Sequence, residues 1–170
     1  MDLSEWRRYN VTTVIKQMHD AVKGKSGDIE FGIAPDASIT RNMQQHYLDV
    51  ELFCKNEGYI DYICPQVYFG YENSAMPFLP TIARWSAYAS ACDLMVGLSF
   101  YKVGTSDANA GGGSSEWLHN SNIISRQYLD SLEITNCLGV AFYRYASIFV
   151  PDSQTISNVQ NEYENLRSVI

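Results

Sequence analysis

Four short apolar runs recur along the chain: "IEFGIAP" (29–35), "YIDYICPQVYF" (59–69), "CDLMVGLSFY" (92–101) and "CLGVAFYRY" (137–145). A helix-patterned segment separates each from the next. A strand that is apolar on both faces must be covered on both, and parallel neighbours need a crossover, usually helical, to join them. Helical segments are expected at 4–23, 44–57, 77–90, 121–134 and 152–168. In the first, Val11, Val14, Ile15, Met18 and Val22 repeat along one face, with Ser4 available as a cap and Gly24 and Gly27 to end it. The order α-β-α-β-α-β-α-β-α predicts an α/β protein built on a parallel sheet. Two architectures fit: an open doubly wound sheet, or part of a (β/α)8 barrel, which typically takes ~250 residues when whole. An open sheet binding a nucleotide calls for a glycine-rich turn directly after a strand. "GGGSS" lies mid-loop without that spacing and reads as a flexible surface loop.

Composition removes several classes of partner. With 12 Lys plus Arg against 19 Asp plus Glu, the formal charge is −7 and no basic run offers itself to a phosphate backbone, so neither nucleic acid nor an anionic membrane is expected. No stretch is long and apolar enough for a membrane span, and "MDLSEWRRYN" lacks the apolar centre of a signal peptide. The cysteines Cys54, Cys64, Cys92 and Cys137 form no CxxC pair and read as buried thiols. His19, His46 and His119 fit no ligand spacing; neither metal nor cofactor is expected.

In both architectures function collects at the C-terminal strand ends. These read Pro35-Asp36, Gln66-Val67-Tyr68-Phe69, Phe100-Tyr101-Lys102 and Tyr143-Arg144-Tyr145. Alternation along a strand puts Cys64, Gln66 and Tyr68 on one face, and Gly97, Ser99 and Tyr101 on another. Amide and hydroxyl groups between flat phenol faces suit a sugar ring, which presents hydroxyls at its edge and C–H groups on its face. The same groups could equally satisfy one another in a wet barrel core.

The segments "WRRYNV", "FGIAP", "YLDV", "GYIDYICPQVYFGYEN", "GLSFYKVGT" and "GVAFYRYAS" follow one another in register. Together, from Asp2 to about Ser147, they resemble the C-terminal half of the glycosyl hydrolase-like 10 domains, a bacterial glycosidase family with a TIM-barrel fold. The resemblance implies a single half-barrel domain over 1–170, with barrel strands 5 to 8 beginning near residues 29, 60, 92 and 137. It implies that strands 1 to 4, with an acidic strand-4 end, precede Met1. Trp6, Arg7 and Arg8 would then sit near the catalytic face. Asp36, Gln66, Tyr68, Tyr71, Tyr101, Lys102, Tyr143 and Arg144 would complete the substrate-binding set. Asp36-Ala37-Ser38 departs from the family's usual pattern.

Glycoside hydrolysis generally uses two carboxyl groups, ~5–5.5 Å apart for retention or ~6.5–9.5 Å for inversion. The upper loops offer Asp36, Glu72, Asp107 and Glu116, and Glu72 is the candidate catalytic residue because it follows Gln66 by a few positions. The expected partners are a carbohydrate and either the missing N-terminal half-barrel or a second copy of the chain, since half a barrel leaves two strand edges open. The resemblance also implies a secreted or cell-envelope location.

Overall fold

A computed structural model describes all residues from Met1 to Ile170. The chain begins with α1 (Leu3–Lys23) and then alternates strands and helices: β1 (Gly32–Ile33), α2 (Ile39–Gln45), α3 (Val50–Lys55), β2 (Tyr62–Ile63), α4 (Phe78–Tyr88) and β3 (Asp93–Leu98). After β3 come α5 (Glu116–His119), α6 (Ile123–Leu132), β4 (Cys137–Phe142), α7 (Tyr145–Phe149) and α8 (Ile156–Arg167). All strand pairs are parallel, in the spatial order β1-β2-β3-β4.

That order decides between the two architectures. A doubly wound sheet reverses its strand order at a switch point so that helices cover both faces. Here no reversal occurs, and crossovers of one hand then lay successive helices on the same side. The arrangement is α/β with four parallel strands alternating with helices, consistent with part of a barrel.

Leu94, Val96 and Leu98 share one parity of β3, and all are fully buried. They join a core with Phe53, Phe78, Ile82, Trp85, Ile123 and Ile124 from α3, α4 and α6. Asn136, just before β4, fixes α4 from below by donating to the carbonyls of Ser86 and Ala89.

β1 and β2 are much shorter than their apolar runs because Pro35 and Pro65 interrupt them, and proline has no N–H to give a ladder. Pro35 and Pro65 still accept through their carbonyls, from Gln66 N at 2.9 Å and Gly97 N at 3.0 Å. Isolated bridges Asp36–Gln66 and Gln66–Gly97 therefore carry the pairing past both prolines to the strand ends. Gly97 makes this possible: a Cβ there would lie 2.8 Å from the Pro65 carbonyl oxygen.

Other expectations are corrected locally. The cap of α1 is Asp2, not Ser4: Asp2 accepts from Glu5 N while Glu5 accepts from Asp2 N, satisfying two donors reciprocally. The segment 44–57 is not one helix. Ser38 starts α2 early, Tyr47 turns the chain with φ 55°, and the Asp49 side chain caps α3. The Gly/Ser-rich stretch keeps Gly111 and Gly112 exposed but is packed on its other side. Gly111 to Gly113 form a 3-10 turn against residues 72–74, and a Cβ at Gly113 would meet the Glu72 carbonyl oxygen at 2.4 Å. Asp107 and Glu116 on either side of it are buried, as is Trp117.

Both β1 and β4 pair on one side only. Leu138 of β4 is 62% exposed, and α1 fully buries none of its 21 residues, leaving Trp6, Tyr9, Val14 and Met18 exposed.

Candidate functional site

The C-terminal ends of β2, β3 and β4 bring three tyrosines together. Tyr68 follows β2 through the Pro65 break, Tyr101 lies in a 3-10 turn (Phe100–Lys102) directly after β3, and Tyr143 follows β4. The backbone fixes their mutual position, since Tyr143 N donates to Leu98 O at 2.8 Å and Tyr101 N to Tyr143 O at 3.2 Å. The Tyr68 and Tyr143 rings stack 5.7 Å apart at 23°, while Tyr101 stands edge-on to both, at 5.8 and 6.0 Å. Burial pushes the Tyr68 hydroxyl up to about 12, helped by neighbouring Cys64 and the other two phenols. Tyr101 is raised as well, by burial first and then by Asp107 and Tyr143. Tyr68 and Tyr101 therefore stay protonated at neutral pH, each able to donate and accept.

A cleft of about 500 Å³ adjoins this cluster, lined by Asp36, Gln66, Tyr68, Tyr101, Lys102 and Asp107 together with Arg41, Asn73, Met76 and Asn109. Lys102 is its strut. The ammonium donates to the Tyr68 carbonyl at 2.6 Å and to Asp107 Oδ2 at 2.5 Å, with Lys102 and Asp107 side chains only 15% and 7% exposed. Asp107 Oδ1 also accepts from Asn109 N at 3.1 Å. At the other side, Asp36 accepts from Ser38 N and from Arg41 Nη1, at 2.6 and 2.9 Å. Gln66 is exposed and anchored through its amide N–H to Ala34 O at 2.9 Å; its side-chain carbonyl makes no hydrogen bond within the protein and is free for a ligand.

Five of the sequence-derived residues thus line one cleft: Asp36, Gln66, Tyr68, Tyr101 and Lys102. Tyr143 joins them through ring contacts. The others fall elsewhere. Tyr71 is drawn away by α6: its hydroxyl donates to Asp130 Oδ2 at 2.6 Å, Arg126 lies 4.3 Å from its ring, and Phe78 meets its edge. Arg144 borders a separate recess with Tyr101, Thr105, Asp152 and Thr155, and shares only Tyr101 with the cleft. Arg7 donates to the Tyr47 hydroxyl and lies over that ring at 4.9 Å. Exposed Trp6 and half-buried Arg8 are not part of the cleft lining.

Glu72 is exposed and also lies outside the lining. Its backbone is held by Glu116, whose carboxylate accepts from Tyr71 N at 2.8 Å and Glu72 N at 3.0 Å. Glu116 is thereby committed to positioning the loop after β2. Reading strand ends could not reveal Arg41, Asn73 or Asn109 as cleft residues, because Arg41 arrives from α2 and the two asparagines from loops. Asp107 was already one of the upper-loop carboxylates, five positions beyond Lys102.

A larger recess of about 730 Å³ lies at the opposite, N-terminal end of the strands, lined mainly by polar residues including Lys23, Asp28, Glu57, Asp61 and Asp93. Asp61 belongs to the scaffold there, accepting from Phe31 N and pairing with Lys23 at 2.8 Å. No group of His, Cys, Asp and Glu could hold a metal ion, and no helix is long and apolar enough to cross a membrane.

Comparison with known proteins adds the family. The glycosyl hydrolase-like 10 profile matches residues 2–112, which include the strand ends bearing Asp36, Gln66, Tyr68, Tyr101 and Lys102. The chain belongs to the glycosyl hydrolase-like 10 family. Among curated relatives, "Glycosyl hydrolase DigH" of Escherichia coli (strain K12) is 29% identical over 119 residues, covering 59% of this chain and 26% of that protein. "Glycosyl hydrolase YngK" of Bacillus subtilis (strain 168) is 27% identical over 119 residues, covering 60% and 23%. The match therefore spans about a quarter of the length of these relatives. Tyr143 and β4 lie beyond the matched profile, so their place in the cluster rests on the geometry alone.

Proposed function

We propose that this chain forms the C-terminal half, strands 5 to 8, of a (β/α)8 glycoside hydrolase-like barrel, and that its strand-end cleft grips a bacterial polysaccharide. The observation carrying this reading is the cleft beside Tyr68, Tyr101 and Tyr143, which combines flat apolar rings with hydroxyl and amide groups. Membership of a glycosyl hydrolase-like family favours hydrolysis of O-glycosidic bonds as the reaction of the whole domain. Asp36 and Asp107, the carboxylates on the cleft, are both ion-paired, so the cleft itself serves to bind and orient sugar. Glu72, without a side-chain partner, is the candidate for proton transfer. A second carboxyl group would come from the part of the relatives that this chain does not match.

The test is affinity electrophoresis of the chain through a panel of bacterial polysaccharides. The reading expects retardation by at least one polysaccharide, weakened about tenfold or more by Tyr101→Ala or Gln66→Ala. Migration unaffected by every polysaccharide would refute sugar binding by this chain. For Glu72, the measurement is turnover by a protein spanning the whole family domain: Glu72→Gln should abolish it, and unchanged turnover removes the role.

The open edges at β1 and β4 and the exposed apolar residues of α1 favour a second reading, a catalytically incomplete half-barrel that binds glycan or only associates with a second copy. Light scattering tests the self-association arm of this reading, since a monodisperse monomer at every concentration would rule it out.

A further inference from the structure

Two of the free thiols meet at the end of the sheet opposite the cleft. The carbonyl of Cys54, in the last turn of α3, accepts from Ser90 N at 3.1 Å and Ala91 N at 2.8 Å, which holds the chain immediately before Cys92 against Cys54. The two side chains are close enough to shift each other's pKa, Cys54 upward and Cys92 downward. Cys54 is fully buried, whereas Cys92 is partly exposed and lines the 730 Å³ recess, where a small solute can enter.

The geometry points to a redox site here: Cys54 and Cys92 form a reversible disulfide that ties α3 to the start of β3, by exchange with a low-molecular-weight disulfide such as oxidised glutathione. Cys92 as thiolate attacks one glutathione sulfur; the S–S bond breaks and one glutathione leaves as thiolate. Cys54 then loses its proton to that thiolate, attacks the Cys92 sulfur of the mixed disulfide and expels the second glutathione. Two protein thiols are oxidised and one glutathione disulfide is reduced to two thiols.

The division of labour follows from the surroundings. The Cys54 hydrogen bond favours the Cys92 thiolate and lowers its pKa, while Cys54 itself is raised by the same contact and by burial. The partly exposed thiol thus attacks first, and the buried one resolves. The remaining cysteines cannot form the equivalent bond. Cys64 follows β2 and Cys137 opens β4, with β3 between them. Two strand spacings amount to ~9–10 Å, beyond the ~7 Å Cα separation that a disulfide spans. Burial also raises the Cys64 pKa to about 11, leaving that thiol unreactive.

Peptide mapping tests this directly, because trypsin, cutting after Arg41, Lys55, Arg84, Lys102, Arg126 and Arg144, leaves each cysteine on its own peptide. The purified chain is incubated with oxidised glutathione, denatured, alkylated with iodoacetamide and digested. The expected product joins the peptide bearing Cys54 to the one bearing Cys92, lighter by two hydrogens and undone by dithiothreitol. The oxidised protein should also melt several degrees higher than the reduced one, since a cross-link restricts the unfolded chain. Cys92→Ser should lose that shift, and Cys64→Ser with Cys137→Ser should keep it. Full alkylation of all thiols, a stable glutathione adduct on Cys92, a link involving Cys64 or Cys137, or a disulfide between two copies would each overturn the assignment. Wild-type mapping decides the matter even if a variant fails to fold.

Discussion

Removing the Lys102 ammonium should cost more than any other single change at the cleft that leaves the backbone in place. In Lys102→Met, the stem keeps its packing, but Asp107 loses its 2.5 Å partner and the Tyr68 carbonyl its 2.6 Å donor. Asp107, 7% exposed, retains only the Asn109 N–H. Breaking one half of a buried pair typically costs ~3–5 kcal/mol because the other charge is left uncompensated. Lys102 is 15% exposed, so water reaches part of the site and the lower figure of ~3 kcal/mol applies. With a urea m-value of ~1–3 kcal/mol/M, the denaturation midpoint should fall by roughly 1 to 3 M at unchanged m. The double variant Lys102→Met with Asp107→Leu removes both charges and should lose less than the two single costs added together. Equilibrium urea unfolding followed by tryptophan fluorescence measures all three. A Lys102→Met cost below ~0.5 kcal/mol, or strict additivity, would refute the idea that this pair is a desolvated strut.

Further outcomes can be checked separately. Gly97→Ala drives a Cβ to 2.8 Å from the Pro65 carbonyl, so urea unfolding should show a loss of ~1–3 kcal/mol; a neutral effect would mean the strand ends are not in close contact. At Asp61, burial raises the pKa, but the Lys23 ion pair and the Phe31 N–H bond outweigh it and the net shift is downward. A depressed folded pKa contributes stability that is complete above the ordinary carboxylate value of ~3.9 and is lost as pH falls through the folded value. Asp61→Asn should therefore flatten the acid limb of a stability–pH curve below about pH 4, and an unchanged limb counts against it. Tyr71→Phe should lower stability by ~1 kcal/mol through the lost bond to Asp130 while leaving glycan retardation unchanged; weakened retardation would return Tyr71 to the binding site.

What could be read from the residues depended on the range of the interaction. Pro65 and Gln66 illustrate it. Strand parity alone put Gln66 and Tyr68 on one face, and both line the cleft. The same rule said nothing about Tyr71, which lies three residues beyond Tyr68 but past the strand. Its direction is set by Asp130, 59 residues away, and by Glu116, 45 residues away. Glu72 turned on the same loop, and nothing within its own stretch of sequence showed that Glu116 would claim its backbone. The glycines at 111–113 look flexible in isolation and are packed here because they admit the approach of the 72–74 segment.

The amino-acid sequence by itself determined the alternation of parallel strands and helices and the polar, aromatic character of the strand ends. Both follow from periodicity and steric rules that act over a few residues. Only the tertiary structure decided that the strands run in unreversed order, that Asp107 and Arg41 reach the cleft, and that Cys54 meets Cys92. Those outcomes depend on loop contacts and crossovers joining residues 34 to 59 positions apart or more, whose energies no local pattern encodes.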